Sequence, residues 1–187
     1  MNEPSDEAMD DLRVETVCDG GRCVELCDEQ QACSVDLREL GRAVLQTVRA
    51  EQVATARIDV AVVDDRRIHE VNRRFLQHDY PTDVISFCYE TEPLEGELVI
   101  SAERAATVAR EEGSSMRLEL LWYAVHGTLH LLGYDDQSPI DRDAMRARER
   151  DILRQLGLEL PLSVDSAIRS DDRQKRREND LPEGDVT

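Results

Sequence analysis

The first regular rhythm in the chain begins after Ser34, where Leu37, Leu40, Val44, Leu45 and Val48 recur at helical spacing. Residues so placed share one face of a helix, and Ser34 is a good N-cap; the pattern predicts a helix over 35–51. The period then drops to two. Ile58, Val60 and Val62 alternate with Asp59, Ala61 and Val63, which predicts a strand with one well-buried face. Asp64 or Asp65 should cap a short helix carrying Ile68, Val71 and Phe75, and Pro81 ends the connection to a strand over 83–89. Glu92 to Gly96 reads as a turn, so that strand should pair antiparallel with the next, 97–100.

Ser101 caps an alanine-rich helix that Gly113 ends. A longer apolar helix follows, about 115–132, with Leu118, Leu121, Trp122, Val125, Leu129 and Leu132 as its core stripe. Ser138-Pro139 opens a last helix, whose apolar face holds Met145, Ile152, Leu153 and Leu156 and which Gly157 stops. Residues 12–33 read as irregular or short-strand structure. Helices interleaved with a few strands, one pair antiparallel, give an α+β class: a small mixed sheet with helices packed around the central one.

Composition bounds the rest. The chain's 187 residues suit one domain, expected over 12–164, with a disordered acidic arm at 1–11 and a charged, disordered tail at 165–187. The formal charge is −18, and residues 1–36 alone hold 11 acidic against 2 basic side chains. Nucleic-acid binding usually draws on clustered Lys and Arg. The chain has a single lysine, Lys175, so any RNA role must rest on local arginines or a metal. Cys18, Cys23, Cys27 and Cys33 match no zinc spacing and are expected to be reduced. No leader-like or membrane-length apolar run is visible; a soluble, cytoplasmic protein with no membrane partner is expected.

The chemistry gathers at the end of the central helix, in His126-Gly127-Thr128-Leu129-His130-Leu131-Leu132-Gly133-Tyr134-Asp135-Asp136. Histidines four apart project from one side of a helix, here at the border between core and solvent. Gly133 can turn the chain so that Asp135 or Asp136 adds an oxygen ligand. Three protein ligands leave a fourth position open for catalysis. In the HExxH motif of zinc peptidases the general base follows the first histidine; here that residue is Gly127, which argues against proteolysis.

The run His126-Gly127-x-Leu129-His130-Leu131-x-Gly133-Tyr134-Asp135 resembles the signature of the YbeY family of bacterial rRNA maturation factors, which are metal-dependent endoribonucleases. Asp79-x-Pro81-Thr82-Asp83-Val84-Ile85-Ser86-Phe87 and Gly96-Glu97-Leu98-Val99-Ile100-Ser101 resemble two further family motifs, in the same order, over about 35–160. The resemblance implies an α+β fold, a first strand near 12–26, and one zinc ion held by three histidines. It also implies cleavage of single-stranded RNA, 16S rRNA 3′-end maturation, ribosome quality control, and rRNA and the small subunit as partners.

Transferred residue by residue, the resemblance makes His126 and His130 metal ligands. It puts Asp136 where relatives carry the third histidine, a carboxylate that zinc accepts and that favours harder metals more. Asp135 would orient a ligand or water. The family's arginine after the Asn-x-x-aromatic element is Leu76 here, which leaves Arg73 or Arg74 as stand-in phosphate contacts. These two changes motivate an alternative: a non-catalytic ribosome-assembly factor with the same fold.

Overall fold

A computed structural model describes residues 12–158; the expected arm at 1–11, the domain end at 159–164 and the tail at 165–187 lie outside them. Of residues 12–33, expected as irregular or short-strand structure, 29–33 are irregular and 13–28 are two short strands about a turn. They form a hairpin of β1 (Arg13–Asp19) and β2 (Gly21–Asp28), paired so that Asp19 faces Arg22 across Gly20-Gly21. Such a glycine pair between two strands is a hairpin signal, and Gly20 takes a φ of 61° there. The same register sets Cys18 opposite Cys23, and the two form a disulfide with Cα atoms 4.2 Å apart. The expectation of reduced thiols therefore fails for this pair: a spacing of five suits no metal but spans a tight turn. Cys27, Cys33 and Cys88 are free thiols.

Helix α1 (Leu37–Ala50) starts later than its periodicity suggested, because Asp36 and not Ser34 caps it, accepting from the Glu39 amide at 3.0 Å. β3 (Thr55–Val63) leads into α2 (Asp65–Val71), whose cap is Asp64. The chain continues as a π-helical turn over Asn72–Leu76. That wider turn takes Phe75 out of line with Ile68 and Val71, so Phe75 is 58% exposed and not part of the apolar face expected of it. β4 (Val84–Thr91) and β5 (Leu94–Ser101) pair antiparallel, as the short link requires. α3 (Ala102–Glu112), α4 (Met116–Leu131) and α5 (Pro139–Gln155) complete the order, capped by Ser101, Ser115 and Ser138.

The strands form one five-stranded mixed sheet, β1-β2-β3-β5-β4, and the fold is α+β. Strand alternation divides its faces. Leu26, Ile58, Val60, Leu98 and Ile100 point to the main core, which α1, α4 and α5 close. Val63, Ile85 and Val99 point the other way and meet Ile68 of α2 in a small cluster, with Ala61, Val71 and Phe87 against it. Much of that second face is open.

Helix α4 is the hub. Leu118, Leu121, Val125 and Leu129 are buried as expected, but so are Leu120, Tyr123, Ala124 and Leu131 on the side toward the sheet. A helix apolar on every side is an interior helix. Gly127 explains how closely it sits: a Cβ there would lie 2.9 Å from Val84 Cγ2, 3.0 Å from Leu98 Cδ2 and 3.1 Å from Ser86 Oγ. The Ser86 hydroxyl donates to the Gly127 carbonyl at 3.0 Å. Gly127→Ala should therefore lower stability by about 1–3 kcal/mol through overpacking, measured by denaturant unfolding with an unchanged m-value.

Glu119 is the buried carboxyl of this helix, 2% exposed. Burial pushes its carboxyl above the ordinary value of 4.5, Ser114 pulls it back by hydrogen bonding, and Glu112 and Asp83 add repulsion. The folded state thus holds this proton more tightly than the unfolded chain does. Stability from the neutral form is complete below about pH 4.5 and is lost as pH rises through the raised value. Glu119→Gln should remove that decline and unfold at higher temperature than the parent at pH 7; an identical pH dependence in the two proteins would contradict it.

Candidate metal centre

The C-terminal end of α4 builds the site. Gly133 takes a φ of 87°, its amide donates to His130 O at 3.0 Å, and the Tyr134 amide reaches back to Leu129 O at 3.0 Å. This pair of bonds is a Schellman turn, and it folds the following loop back over the helix that it ends. As a result His126, His130 and Asp136 converge, with one ligand atom of each lying within 4.8 Å of the others. All three are partly buried.

The imidazoles are held from behind. His130 Nδ1 lies 2.9 Å from the Tyr134 carbonyl, which can only accept, so Nδ1 carries the proton and Nε2 presents a lone pair. His126 Nδ1 lies 2.6 Å from Glu149 Oε1, and the other Glu149 oxygen accepts from Trp122 Nε1 at 3.0 Å. The two Nε2 atoms then face each other at 3.1 Å. Tetrahedral zinc with bonds of 2.0–2.1 Å would set two such nitrogens about 3.3 Å apart. Two lone pairs so aimed, with a carboxylate beside them, make a donor set that fits a divalent cation.

The loop is fixed as carefully as the rings. Asp135 is exposed, and its Oδ1 accepts from the Asp136 and Gln137 amides at 2.7 and 3.1 Å. Its carboxylate shapes the backbone on which Asp136 sits. Arg142 of α5 donates to the carbonyls of Asp136 and Gln137 at 3.0 and 3.2 Å, and the Tyr134 hydroxyl donates to Glu51 at 3.0 Å. The sequence reading missed Glu149. The available signal was its position: 145, 149 and 152 lie on one face, all buried, and a carboxylate in such a stripe needs a partner.

Arg73 and Arg74 are placed elsewhere. They line a cleft of about 750 Å³ on the open face of the sheet, with Phe75, Phe87 and Tyr89, and none of the three candidate ligands lines it. The arginines and the histidines are thus on different faces of the β4–β5 pair, since α4 contacts Val84, Ser86 and Leu98 while the cleft meets Phe87, Tyr89 and Val99.

A domain model described as Endoribonuclease YbeY matches residues 25–157, a span that holds β3, β4, β5, all five α-helices and the ligand cluster. The chain belongs to the YbeY family. A Rhodopirellula baltica relative named Endoribonuclease YbeY is 51% identical over 140 residues, which cover 72% of each protein. A Bacillus velezensis relative of the same name is 35% identical over 150 residues, covering 72% of this chain and 96% of its own length. The solution structure of a Thermotoga maritima protein has the same fold, with a TM-score of 0.52 at 21% identity over 87% of this chain and 99% of that one. Among the described residues no helix is long and apolar enough to cross a membrane. The YbeY match makes the chain a member of an endoribonuclease family, and the metal cluster sits within the matched span.

Proposed function

We propose that this chain is a zinc-dependent endoribonuclease that cuts single-stranded RNA during maturation of the 16S rRNA 3′ end and in ribosome quality control, in the cytoplasm. The observation that carries the reading is the convergence of His126 Nε2, His130 Nε2 and an Asp136 oxygen at the border of core and solvent. A cation bound there would supply Lewis acidity toward a phosphoryl oxygen and an acidified water. The chain's own residues do the positioning: Glu149 and the Tyr134 carbonyl fix the imidazole tautomers, and Asp135 and Arg142 fix the ligand loop. Arg73 and Arg74 contact phosphates of the bound strand. Its partners are rRNA and the small subunit.

Purified protein should contain about one metal ion and shorten a 16S precursor at its 3′ end. Chelation should remove both metal and cleavage, and zinc should restore them. Full activity after the metal is stripped would refute the reading. The exposed Leu76, 45% accessible at the position where the family resemblance implies an arginine, supports a second reading, an assembly factor that no longer cuts. Metal-loaded protein that binds small-subunit particles and leaves the precursor intact would favour it.

A further inference from the structure

The open sheet face holds aromatic surface that the metal centre does not use. Exposed apolar side chains grouped into one patch mark an interaction site where scattered ones do not, and Phe75 is 58% and Tyr89 62% exposed. They border the cleft with Phe87, whose ring meets Phe75 edge-on at 5.5 Å and 70°. The Arg74 guanidinium lies 5.3 Å from the Phe75 ring centroid. Tyr89 donates its hydroxyl to Glu97 at 2.7 Å, which orients the ring on the face of the sheet. That hydrogen bond, with burial and the charges of Glu97 and Asp59 behind it, pushes the phenol up to about 12, so the ring is neutral at working pH.

The charges of the cleft are unevenly matched. Arg67 is shared between Glu29 at 3.7 Å and Glu70 at 3.9 Å, and Glu97 is taken by Tyr89. What remains is two arginines, Arg73 and Arg74, without a carboxylate partner among the described residues, beside a row of rings on an exposed sheet. That combination serves single-stranded nucleic acid: bases stack on aromatic side chains while arginines meet the phosphates. In a chain of net charge −18, stacking can supply affinity that a broad basic surface does not.

We propose that the Phe75–Phe87–Tyr89 cleft is a base-stacking subsite for single-stranded RNA, separate from the metal centre and reached across the edge strand β4. The proposal rests on the endoribonuclease reading and deepens it. Because cleft and ligands lie on opposite faces of β4–β5, the stacked bases belong to nucleotides several steps from the phosphate at the metal. Substrates too short to round the β4 edge lose this contact.

The test uses zinc-loaded full-length protein and a 2′-O-methyl single strand of about 12 nucleotides carrying a fluorescent base analogue, with denaturing electrophoresis confirming that the strand is intact when binding is read. Stacking should quench the analogue. Phe75→Ala and Tyr89→Ala, both at exposed positions, should each weaken binding about 10-fold and reduce the quench, with metal content unchanged. Tyr89→Phe keeps the ring and should bind like the parent. Arg73→Gln and Arg74→Gln should each lower the salt slope by about one. Alanine variants that bind and quench like the parent overturn the subsite, as does parent protein with no measurable affinity for the strand. So does loss of binding to RNA-free small-subunit proteins with RNA affinity intact, which would assign the cleft to a protein. A parent that binds the strand but does not cleave a natural RNA refutes the endoribonuclease reading and leaves the subsite standing.

Discussion

Asp136→Ala is expected to empty the metal centre and reduce RNA cleavage by at least about 10³-fold. The two imidazoles alone hold a cation on one side, and both sit on the same helix turn. Among the described residues, Asp136 is the carboxylate that the loop returns to them. Under the proposed function, losing it would remove an anionic ligand from a site whose cation would contribute several kcal/mol to phosphoryl transfer, and each 1.36 kcal/mol is tenfold in rate. His126→Ala should do the same from the helix side. Asp136→His is the informative counterpart, because it restores the three-imidazole set that the family resemblance implies. It should keep about one zinc per chain and bind it in preference to manganese more strongly than the parent does, since imidazole suits zinc while carboxylate suits harder ions. Metal analysis after dialysis reads all three proteins independently of activity. Asp136→Ala protein that still carries a full equivalent of zinc would exclude Asp136 as a ligand.

The fold was legible where a single period dominates. The α1 stripe, the β3 alternation and the short link between β4 and β5 each constrain geometry locally, and the structure agrees with them. It departs where local preference is outvoted. Ser34 and Asp36 are both good caps, and only the docking of Leu37 and Leu40 into the core decides between them. Phe75 belongs to the α2 stripe by spacing, yet one widened turn puts it on the surface. Gly20-Gly21 carries a hairpin signal that also pairs Cys18 with Cys23, a pairing that metal-ligand spacings do not register.

The candidate site divides in the same way. His126, His130 and Asp136 could be named because helix periodicity and a terminating glycine are local facts. Gly127, which the sequence offers as a missing general base, marks the close approach of α4 to the β4–β5 pair. The supports for the ligands come from α5 and from the returning loop, through contacts 23 residues apart in sequence for His126 and Glu149. No periodicity encodes those.

Glu149 is therefore the second position where a large effect is expected. Its carboxylate is 2% exposed and accepts from two donors at once, the Trp122 indole and His126 Nδ1. Glu149→Ala orphans both, and each buried donor left unmade costs about 1–3 kcal/mol, so that variant tests folding as much as metal binding. Glu149→Gln separates the two. An amide offers only one acceptor oxygen, and its NH₂ cannot face an N–H. Either Trp122 keeps its bond and His126 meets the amide nitrogen, or the reverse. The first arrangement forces His126 Nδ1 to accept, which moves the ring proton to Nε2 and aims it at the cation position. Zinc affinity should then fall 10- to 100-fold, the usual size for losing an outer partner of a ligand histidine, while the circular dichroism spectrum stays that of the parent. Titration with a competing zinc chelator measures the loss directly. Glu149→Gln protein that holds zinc as tightly as the parent would show that the carboxylate serves packing alone.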